Sequence, residues 1–591
     1  MIIWGLFDSL FSTVVSFFFL LAVVATIVVI VMDNRNPFKT LAWVLVLVFL
    51  PVIGLVLYFF FGQDTRKERL ISKKGFKRLT KYPMMEFQMQ ESFKASEERQ
   101  HQLIRFFQKV NCALPFEGNS IKVYQDGYSM LQGLLATIRS AQHHVHVEFY
   151  IFEDDAVGRL VKDALMDKVR EGVEVRVLYD DVGCWKTPYR FFDEMREAGV
   201  EVRGFLKVRF PRLTSKANYR NHRKLVVVDG RVGFVGGMNL GNRYLKGVKW
   251  GNWKDIMMQM KGKAVYGLQT TFLTDWYATD HSLLTSSVYF PEIDKHGDAL
   301  VQIVTSDPVG EWYDIMQGLL VAITSSQKYL YVQTPYLLPT ESILWALKTV
   351  ALAGVDVRIM IPKMTDTRWI HWGSMSYLDE LMEAGIKIYM YQKGFLHSKL
   401  IVCDDCLSTV GSTNMDFRSF EHNFEVNAFM YDSGTALCMK EIFLADQKDQ
   451  NFCNSRNGEC ALGTRKWGNR LFVCLHLCFK KREIDTTIHS SFDKMWIVFK
   501  VIVLSMLQNK QSVFFQEAFF EYSGRNGFQL FQCIRWIGKD KIELLVTTVN
   551  VLEYISTHRE TLVCLHLAHD LRDKGQMLWV FLNGNDFVAT A

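Results

Sequence analysis

The chain has 591 residues, which exceeds the usual size of a single globular domain and predicts roughly three or four structural units. Its 68 Lys and Arg against 62 Asp and Glu give a formal net charge of +6, which is too mild for a dedicated nucleic-acid binder. The 11 cysteines lack the spacing of a small disulfide-bonded secreted protein. We therefore expect reduced thiols and a cytoplasmic bulk.

Two strongly apolar stretches lie near the start of the chain. Leu10 to Met32 and Thr40 to Gly62 are each long enough to cross a hydrocarbon core of about 30 Å as a helix. A signal peptide is the alternative for the first stretch, but no basic residue precedes it, and a signal peptide's apolar region is usually only about 7 to 15 residues long. Residues 1–62 are therefore predicted to form a transmembrane hairpin.

Flanking charge predicts the orientation of this hairpin, because Lys and Arg are retained on the cytoplasmic side. Only Arg35 and Lys39 lie in the connection between the two apolar stretches. Seven cations follow the second stretch: Arg66, Lys67, Arg69, Lys73, Lys74, Lys77 and Arg78. We expect a multi-pass protein of the cell membrane with a cytoplasmic body. The seven cations fit either a stop-transfer flank or contact with anionic headgroups.

The composition and the hydrophobic pattern of the sequence change twice after the hairpin. Residues 63–115 are charged, Gln-rich and nearly free of Gly and Pro, which predicts a helical stalk or linker. From 116 onward, short apolar runs typical of strands alternate with amphipathic segments typical of helices. His144 to Phe152, Gly158 to Glu171 and Val173 to Tyr179 form one such strand, helix and strand succession. This alternation predicts an α/β fold.

The α/β region also repeats itself. The run from Gly172 to Leu178 has an echo in Gly354 to Met360, and Ala198-Gly-Val200 has one in Ala384-Gly-Ile386. The separation is far longer than the roughly 20 to 50 residues of a solenoid repeat, so it indicates a duplicated domain.

We therefore predict two duplicated domains over residues 116–295 and 296–450. Residues 451–591 have no echo in either half and receive no assigned fold. A frameshift or a fusion is one hypothesis for this atypical tail.

Each half carries one histidine motif in a matching place. The motif is a His, a Lys two residues later, an Asp five residues after the Lys, and an Asn after a downstream glycine. Its members are His222, Lys224, Asp229 and Asn239 in the first half, and His397, Lys399, Asp404 and Asn414 in the second. Two such motifs in corresponding positions are far less probable by chance than one.

These residue types suit chemistry at phosphorus. Neutral imidazole is a competent nucleophile and imidazolium is a competent acid near neutral pH, so two histidines supply attack and leaving-group protonation. The lysines and asparagines can stabilise charge on the phosphate oxygens, which makes a metal unnecessary. The apolar runs Leu225 to Val228 and Leu400 to Val402 predict buried strands that hold each His and Lys rigidly.

The paired motifs resemble the HKD motifs of the phospholipase D superfamily. The segments Asn34 to Pro37, Asn218 to Lys224 and Thr334 to Pro339 are also similar to those of bacterial cardiolipin synthases. The resemblance covers residues 1 to about 450. It implies two phospholipase D-type α/β domains packed as a pseudo-dimer, each with a central, mostly parallel sheet, and an active site between them. It implies no cofactor and no metal.

The resemblance also implies roles for individual residues. Asp229 and Asp404 are expected to form loop hydrogen bonds rather than to react. A separate carboxylate is expected to orient each histidine, and Asp255 and Glu425 are the best matches, although they also fit ordinary surface carboxylates.

A run of cations leads into the first motif. It fits either a solvated loop or a patch that faces lipid headgroups. Its members are Lys207, Arg209, Arg212, Lys216, Arg220 and Arg223.

The expected reaction joins two phosphatidylglycerol molecules into cardiolipin and free glycerol through a phosphohistidine. His222 is taken as the nucleophile and His397 as the acid and base, and the sequence also allows the reverse. The expected partners are phosphatidylglycerol and other membrane lipids, not nucleic acid; the oligomeric state is left open. A hydrolytic phospholipase D, a superfamily nuclease and a non-enzymatic membrane scaffold are the alternatives.

Overall fold

The computed structural model describes residues 19, 21–30, 32, 37–58, 70–90, 98–206, 219–448 and 451–452, together with six strands between 518 and 590. The chain divides into two compact units, Met1–Phe479 and Lys480–Ala591. The unit that carries both histidine motifs is the first.

The N-terminal part of the description is helical. Its helices are α1 (21–30), α2 (Pro37–Phe49), α3 (Pro51–Leu57), α4 (Lys73–Leu79), α5 (Lys81–Met89) and α6 (Glu98–Val110). None of the helices in the described ranges has both the length and the apolar character required to cross a bilayer. The predicted spans, Leu10 to Met32 and Thr40 to Gly62, include residues outside those ranges.

The first half then alternates strands and helices. Its elements are β1 (Pro115–Tyr124), α7 (Gly127–Arg139), β2 (His144–Phe149), α8 (Ala156–Arg170), β3 (Glu174–Asp180), α9 (Tyr189–Glu197), β4 (Glu201–Phe205), β5 (Arg220–Asn221), β6 (Lys224–Val228), β7 (Val232–Gly236), α10 (Arg243–Lys246), β8 (Asn252–Lys254), β9 (Met257–Lys261), α11 (Val265–Asp280) and a 3-10 helix (Ser287–Tyr289).

The second half follows the same order. Its elements are β10 (Ala299–Ser306), α12 (Asp314–Thr324), β11 (Tyr329–Gln333), β12 (Leu337–Leu338), α13 (Glu341–Leu352), β13 (Asp356–Pro362), α14 (Arg368–Glu383), β14 (Lys387–Tyr391), β15 (Gly394–Leu396), β16 (Leu400–Cys403), β17 (Leu407–Gly411), β18 (Met415–Asp416), α15 (Phe417–Glu421), β19 (Asn423–Met430), α16 (Ser433–Gln447) and β20 (Asn451–Phe452).

The two halves have the same sheet topology. The strand order is β4-β3-β2-β6-β7-β9-β1 in the first half and β14-β13-β11-β16-β17-β19-β10 in the second. The halves share one continuous sheet, because Pro115–Asn119 of β1 pair with β10 while Ser120–Tyr124 pair with β9. The predicted duplication of an α/β domain is confirmed.

The expectation of a mostly parallel sheet is wrong. In the strand order of each half, parallel pairing joins β2, β3 and β4 or β11, β13 and β14, and the other neighbouring strands are antiparallel. Strands β12 and β18 form a separate two-stranded parallel sheet. The reason lies in the connections: helices α8 and α13 provide the crossovers that parallel pairing needs, whereas β6 and β7 are joined by a tight turn at Asp229-Gly230.

Local sequence explains where the repeated helices begin and end. Asp155 starts α8 by accepting the backbone N–H groups of Val157 and Gly158, each at 3.0 Å. The chain leaves α8 and α13 through Gly172 and Gly354, whose φ angles of 88° and 98° favour glycine. These matching glycines account for one of the sequence echoes.

Helices in the segment predicted as a stalk pack on this body. Leu79 of α4 is fully buried in the core that surrounds the central strands, and Phe107 of α6 is buried against the second half, 4.6 Å from the ring of Phe429. Residues Lys480–Ala591 contain two three-stranded antiparallel sheets, β21 (Ala518–Ser523), β22 (Gly527–Gly538) and β23 (Lys541–Val546), and β24 (Val563–Leu565), β25 (Trp579–Asn583) and β26 (Asp586–Thr590).

Candidate active site

Both motif histidines lie where a strand of one half meets a strand of the other. Strand β5, just before His222, pairs in parallel with β19 of the second half. Strand β15, just before His397, pairs in parallel with β8 of the first half. The His222 N–H donates to Phe424 O at 2.9 Å and the His397 N–H donates to Lys254 O at 2.7 Å. The opposite half therefore fixes the backbone of each histidine.

A buried carboxylate from the opposite half also holds each imidazole ring. Nδ1 of His222 lies 3.0 Å from both carboxylate oxygens of Glu425, and Nδ1 of His397 lies 2.7 Å from Oδ2 of Asp255. An ionised carboxylate only accepts, so we assign the Nδ1 proton to each histidine as donor. This tautomer leaves the Nε2 lone pair available for attack.

The two carboxylates are held in different ways. Glu425 accepts from the Ser412 hydroxyl and from Nδ2 of Asn423 at 2.9 Å. Oδ1 of Asp255 accepts the N–H of Ile256 at 2.8 Å, and a Cβ on Gly237 would lie 2.1 Å from this oxygen. The glycine that follows the first motif is therefore required for the close approach of Asp255.

The motif lysines are buried beside the histidines. The Lys224 ammonium donates to His222 O and lies 5.3 Å from the centre of the Tyr150 ring. The Lys399 ammonium donates to His397 O and lies 2.8 Å from Nδ1 of the same residue. Both cations are within the same polar cluster as the carboxylates.

Burial controls the protonation of this cluster. It lowers the pKa of His222 to about 4 and that of His397 to about 3, with Lys224 and Lys399 adding to the shift and the carboxylates opposing it. Burial also lowers the pKa of Lys399 to about 8. Burial alone would raise the pKa of Asp255, but the nearby Lys399 and His397 hold it below its ordinary value. Both histidines are thus neutral at neutral pH.

The third motif residue lies away from the rings, in a turn. Asp229 accepts the N–H groups of three successive residues, 142–144, at 2.7 to 2.9 Å. Asp404 accepts those of residues 327–329 at the same range of distances and also pairs with Arg99. Both aspartates therefore fix the entry into β2 and β11 and form no hydrogen bond with the motif histidines His222 and His397.

The two motif asparagines differ. Asn239 donates to the Tyr244 hydroxyl at 2.5 Å and accepts the Ile151 N–H at 3.2 Å. Oδ1 of Asn414 is buried and has no hydrogen-bond partner among the described residues. The two asparagines occupy equivalent positions in the sequence motifs, but their hydrogen-bonding surroundings differ.

Arg223 is a residue whose place the sequence did not reveal. It belongs to the run of cations read as a loop or headgroup patch, but it is only 2% exposed, so it is not part of a surface patch. It donates to Glu425 O at 3.0 Å, pairs with Asp275 and donates to Ser306 O at 3.3 Å. Lys207 to Lys216 of that run lie outside the described residues.

Glu148 is a second buried acid that the sequence motifs did not single out. It accepts from Nδ2 of Asn221 at 2.6 Å, and burial together with the neighbouring Asp275 raises its pKa well above the ordinary value. The signal available in the sequence was its place in the run Val147 to Ile151, which has a looser echo in Val332 to Tyr336 of the second half.

No group of three or more His, Cys, Asp or Glu side chains within the described ranges has the arrangement to hold a metal ion. The expectation of a metal-free reaction stays a prediction.

Residues 134–276 and 319–447 match the family model described as cardiolipin synthase, phospholipase D-like domain, and residues 20–63 match the phospholipase D-nuclease N-terminal model. The first two ranges contain both histidine sites.

The chain is similar to curated proteins over most of its length. It is 40% identical over 433 residues to a cardiolipin synthase of Alkalihalophilus pseudofirmus, covering 72% of this chain and 86% of that protein. It is 40% identical over 449 residues to the major cardiolipin synthase ClsA of Bacillus subtilis, covering 74% and 93%.

Among solved structures, the phosphatidylserine synthase of Haemophilus influenzae shares the fold, with a TM-score of 0.50 at 14% identity over 64% of this chain and all of that one. The crossed histidine and carboxylate pairs thus lie in a fold of the phospholipase D type, and the chain belongs to the cardiolipin synthase family.

Proposed function

We propose that this protein is a cardiolipin synthase that transfers a phosphatidyl group from one phosphatidylglycerol to another, releasing glycerol. The observation that supports this reaction best is the pair of buried histidines, each held through Nδ1 by a carboxylate of the other half. Family membership supports the lipid substrate, since the relatives named above are cardiolipin synthases.

In the first half-reaction, Nε2 of His222 attacks the phosphorus of one phosphatidylglycerol. The bond from phosphorus to the glycerol oxygen breaks, and His397 in its imidazolium form donates a proton to that oxygen. Glycerol leaves, and the phosphatidyl group remains on His222 through a P–N bond. The same scheme runs with the two histidines exchanged.

In the second half-reaction, His397 is neutral and takes the proton from a glycerol hydroxyl of the second phosphatidylglycerol. The oxygen attacks phosphorus, the P–N bond breaks and cardiolipin forms. The proton that charges His397 is taken up from solvent as the phosphodiester anion binds. Both histidines then return to the states in which the first half-reaction began, so each turnover needs no oxidant or reductant and consumes no net proton.

Charge in the site supports these proton transfers. Burial favours the neutral form of both histidines, and a bound phosphodiester anion favours the protonated form of the histidine that does not attack. Lys224 and Lys399 stabilise the negative charge that develops on the phosphate oxygens. Glu425 and Asp255 keep the rings in the required tautomer and stabilise the imidazolium.

The proposal includes a two-helix membrane hairpin over residues 1–62 with the catalytic halves on the cytoplasmic side. The match of residues 20–63 to the phospholipase D-nuclease N-terminal model and the cations that follow support it. A cysteine reporter at Asn36 is expected to react with an impermeant reagent from outside the cell. Reaction from outside only at sites beyond residue 63 would reverse the orientation.

Transfer must compete with hydrolysis of the phosphatidyl-histidine by water. Water is abundant, but an oriented lipid hydroxyl has an effective molarity of up to about 10⁵ to 10⁸ M. A site held beside the bilayer gives the second phosphatidylglycerol this advantage. We therefore expect purified protein in phosphatidylglycerol membranes to release glycerol and cardiolipin in equal amounts, with phosphatidic acid a minor product.

Product analysis tests the proposal directly. Added glycerol should drive cardiolipin back to phosphatidylglycerol, because the intermediate conserves the bond energy. Phosphatidic acid as the main product at every lipid density would make the protein a hydrolase. Acid-labile phosphate trapped on His397 alone would show that His397 is the nucleophile and His222 the acid and base.

A further inference from the structure

Four exposed apolar side chains lie in loops close in the chain to the residues that hold the motif histidines. They are Trp185 after β3, Trp250 before β8, Trp312 after β10 and Met364 after β13, with exposed fractions between 39% and 66%. Single exposed apolar residues need no explanation, but each of these four lies in a loop that connects to the surroundings of a motif histidine. Each loop is connected by hydrogen bonds, strand pairing or packing to residues beside one of the motif histidines.

The first-half motif is bordered by the loops of Trp185 and Trp312. Asp180, at the end of β3, accepts the Asn221 N–H at 2.8 Å, directly before His222. The loop that carries Trp312 packs through Val309 on Phe424, whose carbonyl accepts the N–H of His222. Both tryptophans are thus within a few residues of the backbone that fixes this histidine.

The second-half motif is bordered by the other two loops. Trp250 lies at the tip of a tight turn closed by Val248 and Gly251, and the strand that follows the turn pairs with the residues before His397. Met364 lies two residues before Asp366, which accepts from the Tyr336 hydroxyl at 2.9 Å. The Tyr336 ring is 6.5 Å from the His397 ring.

Three of these loops also carry an exposed lysine next to the apolar residue. The pairs are Trp185-Lys186, Lys249-Trp250 and Lys363-Met364. None of these lysines forms an ion pair within the described part of the chain. The loop of Trp312 differs, since Glu311 precedes it.

We infer that these four loops form a docking surface, the aromatic rim, that contacts the headgroup region of a phosphatidylglycerol bilayer. Tryptophan prefers the membrane interface because its ring is apolar and its N–H is polar. Lysine beside it extends an apolar stem toward the lipid while its ammonium meets an anionic headgroup. The pairing of both residue types on loops around the histidines favours a lipid surface over a protein partner.

The inference rests on the proposed function, because a lipid substrate has to reach the histidines from the bilayer. It goes beyond that function by naming the surface that meets the membrane. A membrane anchor alone would tether the catalytic halves without orienting them. Contact through the aromatic rim would orient the loops that surround the motif histidines toward the lipid.

Fluorescence quenching by brominated lipid tests the contact without relying on catalysis. The full chain is placed in phosphatidylglycerol bilayers with ordinary or brominated acyl chains, since bromine quenches only tryptophans close to the chains. Replacing Trp185, Trp250 and Trp312 by Ser should reduce the quenched amplitude of the full chain, because three quenchable residues are lost. An unchanged quenched amplitude would overturn the proposal.

Trp345 is the matched control, since it is 56% exposed but lies within α13 rather than in one of the four loops. Its replacement by Ser should leave the quenched amplitude unchanged. An equal loss from this variant would show that the bilayer covers the surface without preference, and it would also overturn the aromatic rim.

A rate measurement separates failure of the docking surface from failure of the proposed function. For the triple tryptophan variant, cardiolipin formation from bilayer phosphatidylglycerol should fall about ten-fold more than formation from dissolved dihexanoyl phosphatidylglycerol. Equal losses on both substrates would contradict docking. Absence of cardiolipin from the unaltered chain would refute the proposed function, while the quenching result would still decide the membrane contact.

Discussion

The residue between His and Lys distinguishes two motifs that otherwise have the same pattern. In the first half this residue is Arg223, which pairs with Asp275 and donates to the backbone of Glu425. In the second half it is Ser398, whose hydroxyl donates to Gln333 at 2.6 Å. The arginine forms its ion pair within the first half and donates hydrogen bonds across the boundary to backbone carbonyls of the second half, whereas the serine bond stays within its own half.

Arg223 should therefore matter for stability far more than Ser398. Arg223→Met leaves the Asp275 carboxylate buried without its cation, and we expect a loss of about 3 to 5 kcal/mol. Ser398→Ala removes one neutral hydrogen bond and should cost about 1 kcal/mol. Thermal unfolding of the two variants side by side measures the difference, and similar midpoints would contradict the buried ion pair.

The crossed carboxylates give a second expectation at the residue scale. Glu425→Gln and Asp255→Asn keep the shape of each side chain but remove the charge that orients and stabilises the imidazolium. Each should lower kcat by about 10²- to 10⁴-fold with a native thermal midpoint. Glu383→Gln, an exposed change on α14, serves as the control. Wild-type rates in either active-site variant would show that its histidine does not depend on the carboxylate.

At the scale of elements, the motif aspartates show how the duplication is preserved. Asp229 and Asp404 adopt positive φ angles of 53° and 54°, and each accepts three backbone N–H groups at the start of a central strand. A carboxylate with two oxygens suits this arrangement, and an aspartate tolerates the left-handed backbone better than most residues. The third motif residue thus stabilises the strands that position the chemistry.

Two buried histidines in strand β2 make the stability of the fold depend on pH. Burial lowers the pKa of His144 to about 4 and that of His146 well below its ordinary value. The unfolded chain binds a proton at His144 below about pH 6.5, whereas the folded chain does not until about pH 4. Unfolding takes up protons in this window, so stability falls as the pH decreases through it.

The variant His144→Gln tests this dependence, because the amide can still bond Gln269 but cannot titrate. Between pH 7 and pH 5 its thermal midpoint should fall less than that of the wild type. A parallel decrease in both proteins would assign the pH dependence to other groups.

At the scale of the whole molecule, the two halves form one compact body because their sheets are joined through β1 and their histidine sites are completed across the boundary. Neither half contains both a histidine and the carboxylate that holds it. Gene duplication thus produced an arrangement in which each half depends on the other.

Residues beyond 460 are predicted to be dispensable for folding and activity. A stop codon after residue 460 keeps the β20 pairing with Tyr389 and Met390 and removes a segment without any echo in the catalytic halves. Expression and cardiolipin formation are expected to be at least as high as in the full chain. Loss of folding on this truncation would show that the tail stabilises the catalytic body.

The sequence by itself determined the duplication, the α/β class and the residues of both motifs. These features are local, because strand and helix periodicity, helix-ending glycines and the spacing of His, Lys, Asp and Asn can all be read along the chain. Asp255 and Glu425 were also found, but only through the family resemblance.

Only the tertiary structure decided which carboxylate serves which histidine. Glu425 lies beside His222 and Asp255 beside His397 because β5 pairs with β19 and β8 pairs with β15 across the two halves. It also placed Arg223 in the interior instead of in a basic patch, and made the sheet largely antiparallel. Such contacts join residues far apart in the chain, so their partners depend on how the two sheets align.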